Sequence, residues 1–230
     1  MIDLKKNYQI MGIVNTTPDS FSDGGSYTTV DVAYQHALHL LEAGADILDI
    51  GGQSTRPGYE EVSPQVEADR VLPLIKKIRE TSLAPISVDT YYPEVQVVIM
   101  HSRKRQSLSL KEELHQFYTE KIEQCQKYGL SLEKICFDPG IGFHKTVAEN
   151  LQLLKDPNAF RYQDYPLLYG VSRKRTIGAL TNEPEPANRD FGSAAASLYA
   201  AQQGVEILRV HNVQGLKQTF DVWRALSEKE

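Results

Sequence analysis

Residues 31–51 read DVAYQHALHLLEAGADILDIG and contain the two patterns that decide the fold. Apolar residues recur at helical spacing over 31–43, and Gly44 follows as a usual helix stop residue. The next run, 45–51, is short and mostly apolar, interrupted only by Asp46 and Asp49, which indicates a strand that is buried on both faces. A helix that leads into such a strand is the repeating unit of a parallel α/β sheet.

The same alternation of apolar runs and helical spacing continues through the whole chain. Strands are predicted at 9–15, 45–51, 84–89, 95–101, 134–138, 166–171 and 206–211. Helices are predicted at 31–43, 64–82, 110–128, 146–154 and 191–203. Because no linker or change of composition marks a boundary, one domain, 1–230, is expected. Repeated βα units predict a barrel of the TIM type, with its ligand site at the carboxyl ends of the strands.

One connection does not fit a complete barrel. Only the residues TYYPE, 90–94, separate the strand that ends at Asp89 from the next apolar run. A crossover between parallel strands needs about a dozen residues or more, usually with a helix. Either one strand with its helices is absent from the fold, or residues of the natural protein are missing from this sequence.

The composition argues against several kinds of partner. The chain has 230 residues, of which 41% are hydrophobic and 24% charged, and its formal net charge is -5. Neither nucleic acid nor an anionic membrane surface is therefore expected as a partner. No apolar run suits a signal peptide or a membrane span, so a cytoplasmic protein is expected. Cys125 and Cys136 lack metal-ligand spacing and are interpreted as packing residues.

Polar residues are concentrated where the predicted strands end. They are Asn15, Asp49, Asp89, His101, Asp138, Lys174, Arg209 and His211. We interpret them as one shared ligand site; the alternative is a set of ordinary solvent-facing strand ends. Two segments rich in turn formers, 15–25 and 49–58, are predicted to be loops that face the ligand. Arg56 offers a planar fork suited to carboxylate or phosphate, although a surface salt bridge would explain it equally simply.

Six motifs follow one another along the chain: IVNTTPDSFSDGG at 13–25, LDIGGQSTRPG at 48–58, ISVDT at 86–90, FDPGIGF at 137–143, GVSRKR at 170–175 and RVHN at 209–212. Taken together and in this order, they resemble the motifs of the dihydropteroate synthases. The resemblance implies a (βα)8 barrel that joins 6-hydroxymethyl-7,8-dihydropterin pyrophosphate to p-aminobenzoate in folate biosynthesis, with Mg²⁺. It also implies a homodimer that forms through the later helices.

The resemblance implies roles for those residues of this sequence that match functional residues in the family motifs. Asp89 and Asp138 match carboxylates that bind the amino and ring N–H groups of the pterin and suit a developing cation. Lys174 matches a lysine that contacts the pterin near the p-aminobenzoate position, and Arg209 matches an arginine stacked on the pterin. Arg209 and His211 can also bind phosphate oxygens.

The resemblance assigns the remaining site residues to the metal, the mobile loops and the aromatic rings. Asn15 matches the asparagine associated with magnesium, an ion that prefers oxygen ligands. Loop closure over p-aminobenzoate and pyrophosphate is expected to involve Phe21, Asp23, Ser54, Thr55, Arg56 and Pro57. Met100 and Phe143 match apolar residues near the two substrate rings, although a simple core role is as plausible for each.

Departures from the family pattern keep other functions open. The fourth strand of the family, with its Ile-Asn-Asp type motif, has no counterpart, and one pterin contact is lost with it. Gln53 and Asn212 replace the usual Glu and Asp. A catalytically silent paralogue that binds pterin or a partner is therefore the alternative to an active synthase. A pterin-binding methyl-transfer domain is a third reading, against which the first loop and the SRKR motif argue.

Overall fold

The computed structural model of the chain describes residues 8–16, 29–52, 63–89, 97–104, 108–127 and 131–227. Its contacts divide into two compact units. The smaller unit is Ile10–Val95, and the larger unit is Met1–Gln9 together with Gln96–Glu230. The prediction of a single domain stays a prediction, and each unit is described by itself.

The smaller unit alternates strands and helices as the sequence predicts. Its elements are β1 (Gln9–Asn15), α1 (Thr29–Glu42), β2 (Ile47–Gly51), α2 (Pro64–Arg79) and β3 (Ile86–Asp89). β2 pairs in parallel with β1 on one side and with β3 on the other. All five residues of β2 are buried, as expected for a parallel strand that is covered on both faces.

The larger unit continues the same alternation. Its strands are β4 (Val97–Met100), β5 (Ile135–Asp138), β6 (Leu168–Tyr169) and β7 (Ile207–Val210), and its helices are α3 (Leu110–Lys127), α4 (Val147–Lys155), α5 (Arg175–Thr181), α6 (Asp190–Gln202) and α7 (Val213–Ser227). Short 3-10 helices cover Leu132–Lys134, Pro157–Phe160 and Pro186–Arg189. β4 pairs with β5 and β6 with β7, both in parallel, and a bridge from Phe137 to Leu167 joins β5 to the start of the β6 strand.

The start of α4 shows how local sequence positions the loop before it. Thr146 is the N-cap residue, and its hydroxyl accepts a hydrogen bond from the Glu149 N–H. The Glu149 carboxylate in turn accepts from the Thr146 N–H, which completes a capping box. The loop that follows β5 therefore ends at a defined residue.

Two helices were missed by the sequence analysis. α5 has only seven residues, too few for a clear apolar period. α7 carried a readable signal, because its buried residues Val213, Leu216 and Phe220 recur at helical spacing. The other predicted helices are observed with ends that differ by at most three residues, as in α6, which begins at Asp190 instead of residue 191.

Candidate functional site

In the larger unit, three predicted site residues surround the space left by a glycine. If residue 170 carried a Cβ atom, that atom would lie 3.7 Å from Lys174 Nζ, 3.9 Å from Asp138 Oδ2 and 3.9 Å from Arg209 Cβ. Asp138 is the last residue of β5, and Arg209 lies in β7. Gly170 directly follows β6 and therefore keeps this space open between the carboxyl ends of three strands.

Asp138 is a buried carboxylate that is tied to the loop behind it. The residue is 4% exposed, and its Oδ1 accepts a hydrogen bond of 2.7 Å from the Gly140 N–H. Burial raises the pKa of the Asp138 carboxyl, because removal from water disfavours the charged form. The charge of Lys174 opposes this rise most strongly, with smaller contributions from the Gly140 hydrogen bond, Lys145 and Arg209.

Lys174 supplies the nearest positive charge. Its Nζ donates a hydrogen bond of 2.6 Å to the Ile141 carbonyl oxygen and lies 4.5 Å from the centre of the Phe143 ring. Burial lowers the pKa of Lys174 to about 8, Asp138 counteracts that change, and Arg209 adds to it. Lys174 therefore loses its charge as the pH rises through about 8, and its ammonium group lies over the Phe143 ring.

His211 is held by the residue that begins the SRKR motif. Ser172 Oγ lies 2.9 Å from His211 Nδ1, and the same oxygen accepts from the His211 N–H at 3.2 Å. These two contacts with one hydroxyl group fix the positions of both the backbone and the ring of His211.

Between Ser172 and Lys174 the backbone takes a conformation that is rare for residues other than glycine. Arg173 has φ of 61°, and its guanidinium makes two hydrogen bonds, of 2.7 and 2.8 Å, to the Asp190 carboxylate. The Arg173 N–H donates to Ser193 Oγ, and the Arg173 carbonyl accepts from Arg189. Strained backbone persists where its surroundings fix it, and here those surroundings are the residues around the start of α6.

In the smaller unit, three strand ends lie level with one another. Asn15 of β1 is opposite Gly51 of β2, and Gly51 is opposite Asp89 of β3. Asn15 is exposed, whereas the neighbouring Thr16 is buried and its hydroxyl donates to the Gly51 carbonyl. The backbone of Asp89 thus ends its strand as predicted, but its side chain lies outside what the structure describes.

Of the remaining predicted site residues, the structure describes some and leaves others undescribed. Met100, the last residue of β4, lies opposite Asp138 in the strand register and is partly buried. The loop residues lie outside the described residues, namely Phe21, Asp23, Ser54, Thr55, Arg56 and Pro57. Within the described ranges, no helix is long and apolar enough for a membrane span, and no group of three or more His, Cys, Asp or Glu side chains suits a metal ion.

Sequence reasoning did not single out several residues that shape this site. Gly170 could have been noticed, because a glycine between a buried strand and a basic motif suggests close approach of a ligand. The partners Asp190 and Ser193 gave no local signal, since they lie in another element. The contact between Lys145 and His101 joins residues 44 positions apart, beyond the reach of any pattern.

Comparison with known proteins gives consistent matches along the chain. The family model described as pterin binding enzyme matches residues 11–97 and 94–211. A dihydropteroate synthase from Synechocystis is 36% identical over 267 residues, covering 98% of this chain and 92% of that protein. This alignment is longer than the 230-residue chain, so it contains gaps in the chain. The family match is divided at 94–97, where the fourth βα unit was predicted to be lacking.

Solved structures agree with the sequence matches. The Xanthomonas albilineans dihydropteroate synthase with 4-aminobenzoic acid superposes with a TM-score of 0.89 at 39% identity, over 100% of this chain and 96% of that chain. The same organism's enzyme in complex with 7,8-dihydropteroate gives a TM-score of 0.86 at 37% identity, over 100% and 97% of the two chains. These likenesses confirm the predicted fold class, an α/β fold of the TIM-barrel type.

Proposed function

Since this chain belongs to the dihydropteroate synthase family of pterin-binding enzymes, a family of transferases in folate biosynthesis, we propose that it condenses 6-hydroxymethyl-7,8-dihydropterin pyrophosphate with p-aminobenzoate. The products are 7,8-dihydropteroate and pyrophosphate. The observation that carries this proposal is the space at Gly170, which is bordered by Asp138, Lys174 and Arg209. The relatives' ligands, 4-aminobenzoic acid and 7,8-dihydropteroate, support the two ring-containing substrates.

The chemistry of these three groups suits a flat heterocycle that carries both N–H donors and ring acceptors. Asp138 presents carboxylate oxygens to N–H groups, and the charge of a carboxylate also stabilises a cation that develops on the pterin methylene carbon. Lys174 donates to ring acceptors, and Arg209 offers a planar guanidinium for stacking. As pyrophosphate leaves, the neutral aromatic amine attacks the methylene carbon and then loses a proton, so no nucleophile from the protein is needed.

Asp89 and the two loops belong to this proposal through the family resemblance. Asp89 is the second carboxylate proposed to bind the pterin N–H groups. Loop residues Phe21, Asp23, Ser54, Thr55, Arg56 and Pro57 are proposed to close over p-aminobenzoate and pyrophosphate, which would exclude water as a competing nucleophile. Met100 and Phe143 are proposed to contact the substrate rings, and His211 to donate a hydrogen bond to a phosphate oxygen.

Magnesium is part of the proposal, with Asn15 as its protein ligand. Asn15 is exposed at the end of β1 and presents a neutral amide oxygen, a kind of ligand that Mg²⁺ accepts. Mg²⁺ commonly keeps several waters and shares phosphate oxygens with its protein site, so water and pyrophosphate oxygens are proposed as further ligands. When bound, the ion neutralises charge on the departing pyrophosphate.

The decisive test is pyrophosphate release from the pterin ester, measured with and without p-aminobenzoate and Mg²⁺, on protein of verified intact mass. We expect release that depends on p-aminobenzoate. Asp138→Asn keeps an acceptor for the Gly140 N–H but removes the charge, so kcat/KM should fall about a hundredfold or more. Asp164→Asn, at an exposed carboxylate, is the matched control and should leave kcat/KM unchanged.

The lacking βα unit is the specific observation that favours a silent paralogue. Opening a barrel exposes strand edges, which the rest of the chain must then cover. Pterin binding without any turnover, by protein of the mass expected for 230 residues, would establish that alternative. Turnover that depends on p-aminobenzoate would reject it.

We also propose that the chain forms a homodimer through α6 and α7. A groove of about 870 Å³ between these helices is lined mainly by apolar side chains. Two of the residues that line it are strongly exposed: Phe191 is 92% exposed and Leu226 is 79% exposed. Large apolar side chains that are grouped and exposed usually mark an interface.

Oligomeric mass in solution tests the dimer. Wild-type protein should elute with the light-scattering mass of two chains, and Phe191→Asp should elute as a monomer. Leu83→Asp is the matched control, because Leu83 is equally exposed but lies in the smaller unit. A wild-type monomer, or a dimer unaffected by Phe191→Asp, would contradict the proposal.

A further inference from the structure

A partly buried ammonium group lies behind the site, on a residue to which no role has been given. Lys145 Nζ lies 3.2 Å from the Gly140 and Phe143 carbonyl oxygens and 3.3 Å from the His101 carbonyl oxygen. Its fourth polar neighbour is His101 Nδ1 at 3.0 Å. We call the three carbonyl oxygens the carbonyl cage. An ammonium group has three N–H donors and one positive charge, which together suit such a cage.

The His101 ring is fixed from both sides. An ammonium group has no lone pair, so Nδ1 must accept from Lys145, and the ring proton is left on Nε2. Nε2 lies 3.4 Å from Glu113 Oε1, and both side chains are almost completely buried. Burial and the charge of Lys145 lower the pKa of His101, which agrees with a neutral ring. Glu113 and His101 thus support one wall of the carbonyl cage.

The carbonyl cage holds the turn that connects the two charged groups of the site. The Gly140 carbonyl points into the cage, while the Gly140 N–H donates to Asp138. The next carbonyl along the chain, that of Ile141, accepts from Lys174. One short turn is therefore bound to Lys145 on one side and to both Asp138 and Lys174 on the other.

We propose that Lys145 is a positioning residue whose ammonium group acts as a built-in cation, holding the turn at Gly140 and thereby setting the positions of Asp138 and Lys174. The consequence for catalysis rests on the proposed function, whereas the consequence for the turn does not. A simple packing role for the lysine side chain would need its methylene stem but not its charge.

Chemical rescue separates charge from packing. Lys145→Ala empties the carbonyl cage and leaves its carbonyl oxygens in place, so a small primary ammonium ion can enter. Methylammonium carries the charge and the N–H donors, whereas tetramethylammonium at the same concentration carries the charge without any donor. Hydrogen exchange of the amides in the segment 138–145 reports how firmly the turn is held.

We expect these amides to exchange about tenfold faster or more in Lys145→Ala than in wild type. Methylammonium should restore slow exchange, and tetramethylammonium should not. Lys145→Met keeps the stem without the charge, so it should also exchange faster, which keeps the test usable if the alanine variant is poorly folded. Unchanged exchange in both variants, or equal rescue by both salts, would overturn the proposal.

Turnover provides the second readout. Lys145→Ala should reduce kcat/KM for the pterin ester by about tenfold or more and recover part of it in methylammonium. Lys217→Ala, which removes an exposed lysine paired with Asp221, is the control and should match wild type in both assays. Absence of turnover in wild type would defeat the proposed function alone, because the exchange experiment still decides the role of Lys145.

Discussion

Gly140 lies so close to the carbonyl group of His101 that a Cβ atom on residue 140 would be 1.9 Å from that oxygen. Gly140 also has φ of +72°, a conformation that side chains disfavour. The two constraints arise at one place because the His101 N–H donates to the Asp138 carbonyl, which brings the end of β4 against the loop after β5. The contact allows no residue other than glycine at this position.

Gly140→Ala should therefore lower the free energy of unfolding by about 2 kcal/mol or more, since the clash adds to the conformational cost. Gly204→Ala is the matched control: Gly204 has φ of +89°, but an added Cβ would meet nothing closer than 3.8 Å. Denaturant unfolding of the two variants measures the difference. Equal losses would show that the approach to His101 is relieved by a small movement.

Gly170→Ala should separate binding from stability. The added Cβ would make contacts of 3.7 to 3.9 Å, which are ordinary, so the free energy of unfolding should change by less than about 0.5 kcal/mol. The same methyl group occupies the space between Asp138, Lys174 and Arg209, so pterin affinity should fall about tenfold or more. Calorimetric titration with the pterin provides the measurement. Unchanged affinity would show that the pterin binds elsewhere.

Deprotonation of Lys174 should make kcat/KM decline at alkaline pH. Its pKa is lowered from 10.5 to about 8, so the cation is present below that pH and is lost as the pH rises through it. If the pterin needs this cation, kcat/KM should decline above about pH 8. Lys174→Arg should remove the decline, because arginine stays charged, although its kcat/KM at neutral pH will be lower. A decline that persists in Lys174→Arg would have to come from the substrate or from another group.

The pair of Arg173 and Asp190 should matter more for turnover than for stability. It holds the backbone between Ser172 and Lys174 at a φ of 61° for Arg173, so Arg173→Ala should misplace both neighbours and reduce kcat/KM about tenfold or more. A double-mutant cycle with Asp190→Ala should give a coupling free energy of about 1 kcal/mol.

Arg161→Ala is the control for this prediction. Arg161 makes a similar two-point pair with Glu206, at 2.8 and 3.3 Å, and it also donates to two main-chain carbonyls. Its removal should cost at least as much stability and leave kcat/KM close to wild type. If both arginine variants lose turnover in proportion to stability, Arg173 has no special positioning role.

Elements with strong local patterns were predicted well. β2 was recognised because its buried residues make a short, mostly apolar run that ends at glycine, and α1 because apolar residues recur at helical spacing before Gly44. α5 was missed because seven residues give too little periodicity, and its C-cap Asn182 is a weaker stop signal than glycine. Local patterns thus predicted the elements that carry a clear apolar pattern, whereas a helix of seven residues was too short to show one.

The sequence by itself determined the alternation of strands and helices, the short connection at 90–94 that does not fit a complete barrel, and the presence of Asp138, Lys174 and Arg209 at or just after strand ends. The reason is that periodicity and motif order are local properties of the chain. Only the tertiary structure decided that these three groups surround Gly170, that Lys145 occupies a cage of carbonyl oxygens, and that the pKa of Lys174 lies near 8. The reason is physical: burial and hydrogen bonding depend on residues distant in sequence, which meet only when loops with rare backbone angles bring them together.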